Sequence, residues 1–181
     1  MVTPRFIPWR ESDRRYLAPM LVLALVFGLL FGTLYVVFRF VQVDGDSMLP
    51  VLRDGDRVLL TRSYDLEVAR RGDIVSLTVP DRGRPVTALK RVIALPGDEV
   101  SATGDSVAVN GAPSTAAPDP IVGPDQRVYG TGTIPEGHLF VLGDNRPVSL
   151  DSRFVGPLPV TTVRGKAVAI IWPPSRIRLI D

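Results

Sequence analysis

Read for apolar and polar positions, the chain changes character near residue 39. Residues 17–38 form a run of 22 residues without a charge, rich in Leu, Val and Phe. As a helix such a run is about 33 Å long, enough to cross a hydrocarbon core. The pattern predicts a membrane-spanning helix over 17–38, with Pro19 in its first turn, where a missing N–H costs little. Tyr16 and Tyr35 lie near the two ends, as interfacial aromatics do. Beyond residue 39 the apolar runs are short and β-branched, and Gly, Pro and Asp separate them. Runs at 40–43, 57–62, 74–79, 86–95, 106–109, 138–142 and 167–172 predict strands. Helical periodicity is absent there, apart from a short turn near 66–70. Val107-Ala-Val-Asn-Gly111 predicts a strand entering an Asn-Gly hairpin turn. Residues 112–126 carry Pro113, Pro118, Pro120 and Pro124 and read as an exposed loop within a small insertion over about 99–137.

Composition narrows the chemistry. The 181 residues allow one domain plus an appendage, and 17 prolines with 16 glycines suit short strands joined by many turns. Cysteine is absent and His138 is the single histidine. Thiolate chemistry and disulfides are excluded, and a histidine-built metal site or Ser-His-Asp triad has little material. His138 reads as structural. The net charge of +2 arises before residue 39, where four arginines face Glu11 and Asp13; from 39 onward 17 basic side chains balance 17 acidic ones. A neutral domain without a basic stripe gives no support to nucleic-acid binding.

A cleavable leader fits 17–38 poorly. The run is too long, and Arg39, Phe40, Val41 and Gln42 follow it rather than a small-x-small site. A buried soluble helix rarely has an apolar surface all round. Arg5, Arg10, Arg14 and Arg15 precede the run while only Arg39 closely follows it, which predicts an inside amino terminus. The expected organisation is a cytoplasmic segment 1–16, an anchor 17–38 in the cell membrane, and an extracytoplasmic β-rich domain 39–181.

Three segments carry candidate chemistry. Asp44, Gly45 and Asp46 form turn material before Ser47, with Pro50 soon after, so Ser47 is presented on a turn. Most such serines are only turn residues; a nucleophile is the sharper reading. On the strand 86–95, Val86, Ala88, Lys90 and Val92 share a face, so burial can lower the lysine's pKa and fit it as a general base. A strand lysine that snorkels to water from a sheet edge is the plainer alternative. Arg91 reads as an ion-pair partner. Gly143-Asp-Asn-Arg-Pro-Val-Ser-Leu-Asp-Ser-Arg153 concentrates acid, amide, arginine and hydroxyl groups, either as a self-bonded corner or as support for a site.

Together these segments resemble the type I signal peptidases of bacteria, membrane-bound Ser-Lys endopeptidases. Gly45-Asp-Ser-Met-Leu-Pro50 resembles the family's nucleophile box. Arg71-Gly-Asp-Ile-Val75 resembles the next box, and Lys90-Arg-Val-Ile-Ala-Leu-Pro-Gly-Asp98 the lysine box. The segment from Gly143 to Arg153 resembles the last box. Pro135–Leu142 and Trp172–Ile177 are similar to family segments as well. The resemblance implies a mostly antiparallel, barrel-like β domain behind one transmembrane helix, of the short single-anchor branch. It implies Ser47 as nucleophile, Lys90 as general base, Ser149 as the hydroxyl that holds the lysine amine, and the Ser47 backbone N–H as oxyanion donor. Asp144, Asn145, Asp151 and Arg153 would support the site, and Val43, Met48, Leu52 and Leu89 would line shallow substrate pockets. The implied substrates are secretory preproteins, cut after a small-x-small motif beside the lipid bilayer, with no metal or cofactor and no nucleic-acid partner. Gly45 stands where some members carry a serine that helps bind the oxyanion, and Val51 where threonine is frequent. Eight residues separate Phe38 from Ser47, a reach of roughly 30 Å, so membrane co-localisation of enzyme and substrate would raise the effective concentration. The alternatives are another membrane-anchored Ser-Lys processing peptidase of the conjugation type, a self-cleaving repressor, and a non-catalytic anchored β domain that binds exported chains.

Overall fold

Antiparallel pairing joins every strand pair in the computed structural model, which describes residues 11–62, 64–81, 83–103, 106–114 and 129–180. Two compact units result, one ending at Val37 and the other running from Phe38 to the carboxy terminus.

The first unit contains α1 (Glu11–Val37), 27 residues long. Its stretch Tyr16–Val37 has mean hydropathy 2.6, is not buried against protein, and is long and apolar enough to cross a membrane. Thr33 returns its hydroxyl to the Leu29 carbonyl at 2.8 Å, which pairs the polar group within the helix. Two details differ from the sequence reading. Phe38 belongs to the following strand, not the helix. Pro19 lies in the helix interior, because α1 begins eight residues earlier; the missing N–H there forgoes one helical hydrogen bond.

The second unit is built from β1 (Phe38–Gln42), β2 (Arg57–Thr61), β3 (Ile74–Asp81), β4 (Arg84–Ala94), β5 (Glu99–Thr103), β6 (Ser106–Val109), β7 (Ala112–Pro113), β8 (Thr131–Thr133), β9 (His138–Leu142), the one-turn helix α2 (Ser152–Val155), β10 (Leu158–Pro159), β11 (Val163–Trp172) and β12 (Arg178–Leu179). The main sheet runs β1-β2-β11-β3-β4-β9-β10, with β12 added to β11. All seven predicted runs are strands, with ends shifted by zero to four residues. β5, β7, β8, β10 and β12 are not predicted. They are short or rich in small side chains, so they carry little of the alternating apolar pattern that marks a strand.

The insertion is itself a sheet, β7-β6-β5-β8. The predicted Asn-Gly hairpin joins β6 to β7, with Asn110 at φ 53° and Gly111 at φ 78°, the two left-handed residues of a type I′ turn. Pro113 lies in β7; Pro118, Pro120 and Pro124 fall outside the described residues. Val100, Ala102, Val107 and Ile134 of this part pack with Ile93, Ala94, Phe140 and Leu142 of the main sheet. One shared core therefore holds the small sheet onto the large one.

Two further cores lie on either side of the β3–β4 ladder. Ile74 and Leu89 join Val43, Met48, Leu52, Val58, Leu60 and Ile170. Val75, Leu77 and Val92 join Leu139 and Val141. With both faces covered, β4 is buried without alternation from Leu89 to Ala94. Its pairing is uneven: β3 follows it from Arg84 to Arg91, whereas β9 meets it only from Arg91 onward. The edge before Arg91 is thus left open, and the lysine stands where the two environments meet.

Candidate active site

The turn that carries Ser47 is closed by short-range hydrogen bonds. Val43 N–H donates to the Asp56 carbonyl at 2.8 Å and Gly55 N–H to the Val43 carbonyl at 3.0 Å. Gly45 N–H donates to the Asp54 carboxylate at 2.9 Å. Gly45 has φ 86° in an otherwise open space, so its backbone conformation rather than crowding selects glycine there. Met48 and Leu52 anchor the turn in the core below. Arg176 pins its far end through Asp56 at 2.9 Å, and Arg178 through the Val51 carbonyl at 2.9 Å. Burial by itself would raise the Asp56 carboxyl, but bonds from Arg176 and the Arg53 N–H outweigh it and hold the group below its usual range. These two arginines of the carboxy-terminal segment are site supports that the sequence reading did not single out.

Lys90 reaches the turn from β4. Its Nζ lies 3.0 Å from Ser47 Oγ, in a hydrogen bond, and the residue is 2% exposed. The edge of β4 is open before Arg91, yet the amine is turned into the protein rather than out to water, so the snorkelling alternative does not hold. Burial pushes the Lys90 amine down to about 8; Asp151 and Asp144 pull it upward, and Arg153 pushes it down. The serine and the amine are 43 residues apart in sequence, and only the sheet brings them together.

The segment after β9 wraps this pair. Asp144 takes a two-pronged ion pair from Arg91, at 2.8 and 2.7 Å, with both side chains buried. The same arginine donates to the Gly72 carbonyl at 2.8 Å. Asn145 holds the nucleophile turn directly: its backbone N–H donates to the Ser47 carbonyl and its Nδ2 to the Asp46 carbonyl, both at 3.0 Å. Asp151 accepts from the Gly143 N–H at 3.0 Å and caps α2 through the Arg153 N–H. Arg153 pairs with Asp151 at 2.9 Å and donates to the Arg146 carbonyl at 2.6 Å. Arg146 is the odd cation of the cluster: its Nε and Nη2 are buried without a partner, and desolvation depresses its pKa.

Gly143 is the close approach on which this packing depends. A Cβ there would strike the Ser149 hydroxyl and stand 2.6 Å from the Ser47 carbonyl. Ser149 is therefore beside the nucleophile turn, but its Oγ is buried without a partner and makes no bond to Lys90. No described residue accepts from the Ser47 N–H.

A cavity of about 190 Å³ opens beside Ser47, between the unpaired edge of β4 and the residues that follow β1. Val43, Met48 and Leu89 line it, as do Val41, Ser76, Val86 and Ala88. Leu52 does not. It is fully buried and packs beneath Val43 and Met48, because the turn points it inward. Among the described residues no group of His, Cys, Asp and Glu could hold a metal ion.

The chain is similar to known proteins over most of its length. A family model described as signal peptidase, peptidase S26 matches residues 14–172. A signal peptidase I of Leptolyngbya laminosa is 36% identical over 142 residues, covering 75% of this chain and 69% of its own. A probable signal peptidase I-1 of Synechocystis sp. is 35% identical over 178 residues, 93% of this chain and 87% of its own. A probable thylakoidal processing peptidase 2 of Arabidopsis thaliana chloroplasts is 35% identical over 143 residues; this covers 75% of the chain and spans 38% of that longer protein. The matched region takes in the apolar helix, the Ser47 turn, the Lys90 strand and the Gly143–Arg153 segment, and the chain belongs to the signal peptidase family of S26 peptidases.

Proposed function

We propose that this peptidase removes amino-terminal signal peptides from secretory preproteins, cutting after a small-x-small motif with Ser47 as nucleophile and Lys90 as general base. The 3.0 Å contact between Lys90 Nζ and Ser47 Oγ, in a site that lowers the amine to about 8, carries the reading. Neutral Lys90 takes the Ser47 proton as Oγ attacks the scissile carbonyl. The ammonium so formed protonates the departing amine as the C–N bond breaks, leaving the signal peptide as an ester on Ser47. Water then gives a proton to Lys90 and attacks the ester, and the proton returns to Ser47. The uncommitted Ser47 N–H supports an oxyanion donor role. The unpartnered Ser149 hydroxyl supports a role in holding the amine once Ser47 Oγ is acylated.

The open edge of β4 suits an extended substrate that adds as a strand, its small side chains entering the cavity lined by Val43, Met48 and Leu89. The apolar stretch Tyr16–Val37 of α1 would anchor the enzyme in the cell membrane, with the arginines before that stretch inside and the β domain outside. No cofactor enters this scheme.

Processing of a small-x-small preprotein by the detergent-solubilised chain, with the product termini read by mass spectrometry, tests the substrate and the bond cut. Cleavage elsewhere, or none, overturns the proposal. The pH profile tests the base. Lys90 works only unprotonated, so kcat/KM should rise about tenfold per pH unit from pH 6 and level off above an apparent pKa near 8. A flat profile between pH 6 and 9 argues against the lysine. Asn145→Ala removes one tie to the nucleophile turn, the bond to Asp46, and keeps the backbone tie to Ser47. Its expected effect is a roughly ten- to hundredfold lower kcat with KM nearly unchanged, since orientation rather than binding is lost. An equal change in KM alone would assign Asn145 to substrate binding.

A further inference from the structure

We propose that Ser76 makes the cleft beside Ser47 favour serine over alanine at one of the two small positions of the substrate, an inference that rests on the peptidase reading and deepens it. Along β3, Val75 and Leu77 point into one core while Ile74 belongs to the other, the one beneath the nucleophile turn. Period-two alternation puts Ser76 on the Ile74 side, and its register partner across the ladder is Leu89. Ser76 therefore stands on the cavity wall near Met48 and Ser47. The residue is 1% exposed, and its hydroxyl hydrogen-bonds to no described residue. Apart from Ser47 itself, the other polar side chains on this cavity, Gln42, Asp44 and Thr87, are exposed to solvent.

Water in the cavity can reach this hydroxyl while the cleft is empty; a bound substrate displaces that water, and a hydroxyl then left without a partner is unfavourable. The cavity is open to substrate, and a substrate side chain that enters it is the group positioned to supply the missing bond. Alanine has only a methyl to offer and leaves the hydroxyl unpaired. Serine is almost the same size and pairs with it. A site that can hydrogen-bond a substrate hydroxyl discriminates against the analogue without it, and here the discrimination is confined to one side chain.

The test compares one preprotein in which each small position in turn is alanine or serine, cleaved by the full chain in detergent. For the parent, the serine-to-alanine ratio of kcat/KM is expected at about three- to tenfold at one of the two positions, the weight of a single hydrogen bond. Ser76→Ala should bring that ratio to one or below. Ser76→Thr, which keeps the hydroxyl, should retain the preference. A parent ratio of one or less at both positions overturns the inference without recourse to any variant. So does a ratio unchanged by Ser76→Ala, or a loss that falls equally on both substrates, which is the mark of a structural role. A parent that cleaves none of the four preproteins overturns the peptidase reading as well, so the two failures are told apart.

Discussion

Lys90→Met is expected to lower kcat/KM by about 10⁴-fold while making the folded chain more stable. Both effects follow from one fact: the amine is buried against Ser47 and its pKa is near 8 rather than 10.5. Between those two values the unfolded chain binds more protons than the folded one, so stability rises with pH through that window. Below pH 8 the folded chain carries a buried ammonium that costs up to about 3 kcal/mol relative to the unfolded lysine. Methionine has nearly the same length and no charge, and it fills the site without that cost. Denaturation midpoints at pH 7 and pH 10 should therefore differ less in the variant than in the parent. Ser47→Ala should show the same loss of turnover with stability nearly unchanged, since the side chain is small and half-buried. A Lys90→Met chain that retains turnover removes the lysine from the chemistry. A variant that loses both turnover and stability assigns it to structure.

The second large effect is on folding. Asp144→Ala leaves the Arg91 guanidinium buried with its two carboxylate bonds gone, and a cost of about 3–5 kcal/mol is expected. Against a typical total of about 5–15 kcal/mol, that is enough to lower the urea midpoint severely. Turnover should fall with it, because Asp144 stands between Gly143 and Asn145, which together set the Ser47 turn. The double variant Arg91→Met with Asp144→Leu should recover a good part of the lost stability, since two apolar groups leave no buried charge unpaired. If the single and double variants unfold at the same denaturant concentration, the pair is not what holds this corner.

The two effects divide the site cleanly. On the proposed mechanism Ser47 and Lys90 hold the chemistry, and burial of the amine is an energetic burden on the fold. Arg91–Asp144 and Arg153–Asp151 surround that burden with paired charge. Arg146, buried and unpartnered, adds a net positive surplus to the same corner.

What the sequence by itself determined was local. The apolar run before residue 39 dictated a helix because 22 uncharged residues leave no other way to satisfy the backbone in an apolar surrounding. Short β-branched runs between Gly and Pro dictated the long strands, and Asn110-Gly111 dictated a hairpin, since these choices depend on a few neighbouring dihedrals. The order of four motifs marked Ser47, Lys90 and the Gly143–Arg153 segment as belonging together. Tertiary structure decided the rest. Only the closing of the Ser47 turn and the Gly143–Arg153 segment around β4 buried Lys90 instead of leaving it to reach water from an open edge, and so set its basicity. Only packing turned Leu52 away from the cavity and Ser76 toward it, because which face of a strand meets a cleft depends on segments far away in the chain. Hydrogen bonding likewise drew Arg176 and Arg178 back across more than a hundred residues to the turn that carries the serine. Such contacts carry no periodic signature; they exist only once the chain has closed on itself.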